Sequence, residues 1–470
     1  MDSGRVVRQT SLPHLRLSDV LGALSYALDL TEGQPPGHSL RCCWLGMHIG
    51  QELGLEPGQL SDLYYTLLLK DTGCSSNAAR LWELYGGDER LLKRDVKTVD
   101  TQSLFQLGHF VLRHAGPGEP LRKRIRRVLN LARRGEALAN EVVRTRCERG
   151  ADIVRQLGFG DAVAAGVQSL DEHWNGRGRP EGLRGAAIPL NARIALLAQV
   201  ADVFHSVGGP EAARAEVQRR VDTWFDPLVV SAFLAVAGDA ALWAALASGG
   251  LDARVAALEP AARVVMVDED KLDIIAEAFS DVIDAKSNFT YGHGHRVARY
   301  SDAIARRLGI PAERRRWLRR GALLHDIGKL GVSNGILDKP ASLTGNEWAA
   351  VKQHAQLSEE ILRRLGVFLD LAPIVGAHHE RLDGEGYPRR LAGDAIALET
   401  RIITVCDIFD ALTAARPYRA AVPVADVLAM MERQRDVALD GRCLEALKAC
   451  LPQLAPVAAA VPPQALSRVV

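Results

Sequence analysis

Two stretches of this chain spell nearly the same loop. Glu172-His-Trp-Asn-Gly-Arg-Gly-Arg-Pro180 runs parallel to Glu380-Arg-Leu-Asp-Gly-Glu-Gly-Tyr-Pro388. A similar helical segment follows each, Arg193 to Gln199 in one and Arg401 to Asp407 in the other, and Ile153 to Gly158 matches Ile361 to Gly366 upstream. Farther upstream, Gly37-His-Ser-Leu-Arg41 resembles Gly292-His-Gly-His-Arg296. A chain that repeats its motifs in one order repeats its fold, so two copies of one architecture are expected.

That architecture reads as all-α. Leu272 to Ala285, Val297 to Leu308 and Leu318 to Leu324 place apolar residues three and four apart, the spacing of a helix with one buried face. No alternating run competes with them. Tandem helical domains follow: a first copy over 1–248, a linker over 249–267, a second copy over 268–451 and a flexible tail over 452–470.

The 470 residues, 47% hydrophobic and 24% charged with net charge +1, suit a soluble two-domain protein with no general affinity for nucleic acid or membranes. The apolar stretch from Leu228 to Gly249 is interrupted by Asp239, which argues against a membrane span. Seven scattered cysteines and a polar N-terminus fit a reducing cytoplasm.

The second copy carries ligand-type side chains in order: His293, His325-Asp326 with Lys329, His354, His378-His379 and Asp407. A lone histidine is ordinarily a satisfied helix residue. An adjacent His-Asp pair inside Ala322-Leu-Leu-His-Asp326 is costlier to bury unless it is paired or holds a metal. Imidazole and carboxylate suit iron, manganese or zinc, and Asp326 is the natural bridge between two cations.

These residues resemble the HD-GYP subgroup of the HD phosphohydrolase superfamily. The resemblance runs through Thr290 to Ala298, His325 to Val332, Ile336 to Pro340, His378 to Pro388, Asp407 to Leu412 and Arg416-Pro-Tyr-Arg419. It implies a cyclic di-GMP phosphodiesterase with two divalent metal ions, iron or manganese. One metal takes His293, His325, Asp326 and Asp407; the other shares Asp326 and adds His354, His378 and His379. The resemblance also implies that Asp326 and Lys329 carry the catalysis and that Lys329, Tyr387, Arg416 and Arg419 bind substrate. Some members place a glutamate four residues before the first histidine for a third metal. Here that residue is Phe289, so two metals and a single cut to linear pGpG are expected. Alternatives are another cyclic dinucleotide, cyclic GMP-AMP among them, or a signalling scaffold. A diguanylate cyclase or other signalling protein is a candidate partner, and a homodimer a candidate assembly.

The first copy has Lys70-Asp71, Arg146, Leu170-Asp171 and Gln199 where the second has ligands. It is expected to be metal-free, with a regulatory or dimerising role. Its basic run Arg122 to Arg127, like Arg314 to Arg316 with Arg319 and Arg320, reads as a solvated helix face.

Overall fold

A computed structural model describes residues 15–261, 264–287, 289–415 and 420–454. The described residues form helices and no strand. The first copy contains α1 (Leu17–Thr31), α2 (His38–Glu52), α3 (Pro57–Leu69), α4 (Ala78–Tyr85), α5 (Glu89–Val96), α6 (Leu104–His114), α7 (Leu121–Gln156), α8 (Asp161–Gln168), α9 (Leu190–Arg219), α10 (Pro227–Val236) and α11 (Ala240–Ala247). After α12 (Leu251–Ala257) come α13 (Glu269–Asp284), α14 (His293–Arg307), α15 (Ala312–Leu324), α16 (Asn334–Leu337), α17 (Gly345–Arg363), α18 (Ala372–Gly376), α19 (Leu398–Thr413), α20 (Val424–Glu432) and α21 (Gly441–Cys450).

Local chemistry sets the helix ends in matching ways. Gly37 and Gly292 precede α2 and α14 with φ of 85° and 68°, a left-handed conformation that costs glycine little. Thr344 and Glu347 form a capping box that starts α17, satisfying backbone donors that the helix itself leaves free. Helix α9 breaks at Gly209, ahead of Pro210, so its two halves correspond to α19 and α20. Both copies hold a cis X-Pro bond in the shared loop, Arg179-Pro180 and Tyr387-Pro388.

The copies share one continuous core. A single cluster of buried apolar side chains extends from Leu17 through Phe233 and Phe279 to Leu447. The contacts are reciprocal: α1 of the first copy packs on α17 and on the short turn Ile327–Gly331, while α13 of the second packs on α7 and on the matching turn Cys74–Asn77. The segment expected as a linker is itself folded. Besides α12, it contains buried Glu259, which accepts hydrogen bonds from Ser18 at 2.6 Å and Tyr65 at 2.5 Å. Leu17 and Val267 bond backbone to backbone with Val265 and Leu15.

Among the described residues no single helix is long and apolar enough to cross a membrane, and α10 and α11 meet at a bend of 81°. All seven cysteines are buried free thiols. The second basic run is not a free solvated face. Arg314 pairs with Glu399, Arg315 with Asp302, Arg316 with Asp270 and Asp273, Arg319 with Glu277, and Arg320 with Asp273. In the first run, Arg127 pairs with Glu119, whereas Arg122, Lys123 and Arg126 are exposed.

Candidate metal centre

The seven ligand-type residues come from five places in the second copy: the start of α14 (His293), the end of α15 (His325, Asp326), mid α17 (His354), the turn after α18 (His378, His379) and α19 (Asp407). The fold gathers them. His293 Nε2 lies 3.3 Å from Asp407 Oδ1 and 3.6 Å from Asp326 Oδ2, and His325 Nε2 lies 3.4 Å from Asp326 Oδ2. On the other side, Asp326 Oδ1 is 3.4 Å from His354 Nε2 and 3.8 Å from His378 Nε2. His354 Nε2 is in turn 3.2 Å from His378 Nε2 and 3.1 Å from His379 Nε2. Asp326 thus turns one oxygen to each set, the arrangement a bridging carboxylate needs.

A second layer of bonds aims the rings. The Nδ1 of His325, His354 and His378 reaches the carbonyl three residues earlier, Ala322, Val351 and Val375, at 2.8, 2.5 and 2.6 Å. A carbonyl only accepts, so each Nδ1 carries the proton and each Nε2 presents a lone pair inward. His293 Nδ1 bonds Asp410 Oδ2 at 2.7 Å, and Arg296 holds Asp410 Oδ1 at 2.6 Å. Gly328 lets the His325 turn pass close to α17: a Cβ there would sit 2.0 Å from the carbonyl oxygen of His354.

Three polar atoms at this centre, His293 Nε2, His325 Nε2 and Asp326 Oδ1, are buried without a hydrogen-bond partner. Such atoms are costly unless something else satisfies them. Divalent cations would do so, and the imidazole and carboxylate set fits iron, manganese or zinc. Burial, reinforced by neighbouring imidazoles, lowers His354 to about 3 and His378 further below its usual range. Burial likewise lowers His379 to about 4, so all three are neutral and ready to ligate at pH 7. His293 behaves oppositely. Burial opposes its charge, but Asp407 and Asp410 outweigh that and raise it to about 10. Burial also opposes ionisation of Asp326, yet His325 and Lys329 hold it well below the usual carboxylate range.

Lys329 bonds Asp326 Oδ2 at the centre. Tyr387 lies over His379, ring centroids 4.8 Å apart. Trp348, 46% exposed, stands 6.2 Å from Tyr387, and the Lys352 ammonium lies 5.9 and 5.8 Å from the two rings. Arg416 and Arg419 lie outside the described residues. Phe289 is half-buried and has no ligating atom.

Sequence reasoning missed Asp410, Arg296 and Trp348 as parts of the site. The signal for Asp410 was present, since it follows Asp407 by one helical turn, and Asp202 repeats it in the first copy. Trp348 had no signal beyond an aromatic on a polar helix.

The HD domain family matches residues 126–229 and 277–443. The chain belongs to the HD domain family. It is 51% identical over 445 residues to 3′3′-cGAMP-specific phosphodiesterase 3 of Vibrio cholerae, an alignment covering 95% of this chain and 96% of the relative. It is 37% identical over 167 residues to the cyclic di-GMP phosphodiesterase response regulator RpfG of Xanthomonas campestris, 35% of this chain and 44% of that one. The crystal structure of V-cGAP3, a cyclic GMP-AMP-specific phosphodiesterase of V. cholerae, superposes with a TM-score of 0.64 at 46% identity, covering 93% of this chain and 98% of that one. The relatives are HD-GYP-type phosphodiesterases, and the HD-family phosphodiesterase class is shared by this chain.

The first copy has a different interior from the second. His38 keeps the bond to its aspartate, Nδ1 to Asp202 Oδ2 at 2.7 Å, and Arg41 grips Asp202 at 2.6 Å. At the position of His325, however, Lys70 places its ammonium against Asp71, 3.2 Å from His38 Nε2 and 3.3 Å from Gln199 Oε1. Lys97 bonds Glu32 at 2.7 Å and Gln199 at 3.3 Å, and Arg146 pairs with Asp171. Two groups there, His38–Cys42–Asp202 and Glu32–Asp71–Cys74, still bring ligand-type atoms within 4.8 Å of one another. Their carboxylates are already met by Arg41, Lys70, Lys93 and Lys97. Protein cations stand where the second copy would hold metal.

Proposed function

We propose that this chain is a metal-dependent phosphodiesterase that opens 3′3′-cyclic GMP-AMP in preference to cyclic di-GMP. The observation that carries the substrate is the 51% identity, along 95% of the chain, to a relative named for that specificity. The cyclic di-GMP relative matches only 35% of the chain. This replaces cyclic di-GMP, the substrate first expected, with the alternative.

Two divalent cations, when bound, would supply Lewis acidity and a nucleophile at neutral pH. The chain's own residues do the rest. His293, His325, Asp407 and one oxygen of Asp326 would hold one cation; His354, His378, His379 and the other oxygen would hold the second. Lys329, beside Asp326, is placed to neutralise a phosphate oxygen or to give a proton to the leaving 3′-oxygen. Tyr387 offers a face for one purine and exposed Trp348 a face for the other, since a cyclic dinucleotide carries two bases and stacking suits both. With Phe289 in place of a further carboxylate, a single cut to a linear dinucleotide is favoured. The first copy serves as a metal-free supporting domain, and the free thiols throughout support a cytoplasmic setting.

The test is turnover of both cyclic dinucleotides by manganese-loaded and iron-loaded protein. A kcat/KM at least about tenfold higher for 3′3′-cyclic GMP-AMP is expected, a gap of about 1.4 kcal/mol. Equal values would remove the specificity. Turnover that survives His325→Ala and Asp326→Ala would remove the site.

A further inference from the structure

Helix α5 lies in a stretch of the first copy with no counterpart in the second. Its first residue, Glu89, is fully buried, yet the partners of its carboxylate all belong to the second copy. The Lys286 ammonium approaches to 3.1 Å, Ser333 Oγ donates at 2.9 Å, and the Asn334 backbone N–H donates to both oxygens at 3.1 Å. Next in sequence, Arg90 donates to the carbonyl of Gly331, and Asp88 fixes its guanidinium at 2.8 Å.

The groups gripped are not peripheral. Asp326 caps the tight turn Ile327–Gly331, which contains Lys329 and ends on Gly331, and Ser333 and Asn334 follow directly after it. Lys286 begins the segment that leads into His293. The two segments are also tied to each other: the Asn334 side-chain amide donates to the Lys286 carbonyl at 2.6 Å and to Asp338 at 2.7 Å, and Ser287 donates to Asp338 at 2.6 Å. Lys286 is buried as deeply as Glu89 and has no other carboxylate within ion-pair distance among the described residues. Without Glu89, the second copy would keep a buried ammonium unpaired and a buried backbone donor unmet.

We infer that Glu89 is a positioning residue for the centre of the other copy: it locks the Gly331–Asn334 strap and thereby fixes Asp326 and Lys329. The inference rests on the reading of Asp326 as a metal ligand, not on which dinucleotide is cleaved. A mere glue contact would lower stability alone. A positioning contact also changes the order of the strap and the affinity for metal; a partner bonded directly to a ligand is worth about 10–100-fold, and Glu89, which acts through the strap, is expected at the lower end of that range.

The experiment uses the full-length chain with Glu89→Gln, Glu89→Asp and the double variant Glu89→Gln/Lys286→Met, which removes the stranded ammonium so that the fold is spared. Backbone hydrogen exchange of residues 327–334 is measured on metal-free protein, and Mn2+ affinity is measured by titration. Faster exchange confined to the strap, Mn2+ binding weakened about tenfold or more and kcat lowered more than KM are expected for Glu89→Gln. The double variant should regain Tm but not Mn2+ affinity, and Glu89→Asp should regain part of both. Wild-type exchange and wild-type Mn2+ affinity in the double variant would overturn the inference, whatever its Tm. These two readouts need no substrate, so failure of the dinucleotide reading would leave them intact.

Discussion

At the scale of single residues, His354, His378 and His379 wait neutral in the centre while His293 waits charged. His354 and His379 lie at about 3 and 4 because burial disfavours their charge, whereas His293 lies near 10 between Asp407 and Asp410. A ligand must be deprotonated to bind. Metal uptake at pH 7 to 8 should therefore release a proton from His293 and none from the other two. Calorimetry of Mn2+ binding in buffers of different ionisation enthalpy should show at least about one proton released per loaded centre; heats that do not depend on the buffer would contradict it. The stability sign follows. The folded value of His293 is raised above 6.5, so its contribution to the metal-free fold is full below that pH and fades as pH rises toward 10.

At the scale of elements, the first copy's Lys70 turn sets protein cations against its buried carboxylates where the second copy's candidate centre gathers imidazoles. Lys70→Met should leave Asp71 buried without its nearest countercharge and cost about 3–5 kcal/mol, measured by denaturant unfolding; a change below about 1 kcal/mol would mean that Lys97 compensates alone. Lys70→His should not raise the Mn2+ stoichiometry, because Lys97 and Arg146 remain. This element also marks where sequence reading stops. The candidate ligands that the fold gathers were legible in part because a His-Asp pair ending an apolar helix and a His-His doublet demand an explanation, whereas His293 and His354 were marked only by the resemblance. The shared loops were legible because Gly178 and Gly386 are each fixed by close approach: a Cβ on either would lie 2.5 Å from the Cα of Glu172 or Glu380. Lys70 was legible as the loss of a histidine but not as its replacement, since a sequence does not say where an ammonium points. Glu89 and Lys286 were illegible altogether. Each looks like a surface charge, and they meet across 197 positions of chain.

At the scale of the whole molecule, the tandem fold was readable from the repeated motifs, but the way the copies embrace was not. Helices α1 and α13 each pack on the other copy's turn, and one apolar cluster passes through both. Thermal unfolding of the metal-free chain should therefore give a single cooperative transition, with calorimetric and van't Hoff enthalpies in agreement. Two resolved transitions would show independent halves. For the same reason, removal of residues 1–250 should yield aggregated protein rather than an unregulated enzyme, because it strips α1 from Ile327–Gly331 and exposes apolar surface. The reciprocal packing resembles that of two subunits, with one difference of kind. A subunit pair dissociates on dilution, whereas a covalently joined pair experiences an effective concentration in the millimolar range or above. Glu89 thus remains on its strap however few molecules a cell holds, and each chain contains one candidate centre and one permanent consort in fixed proportion.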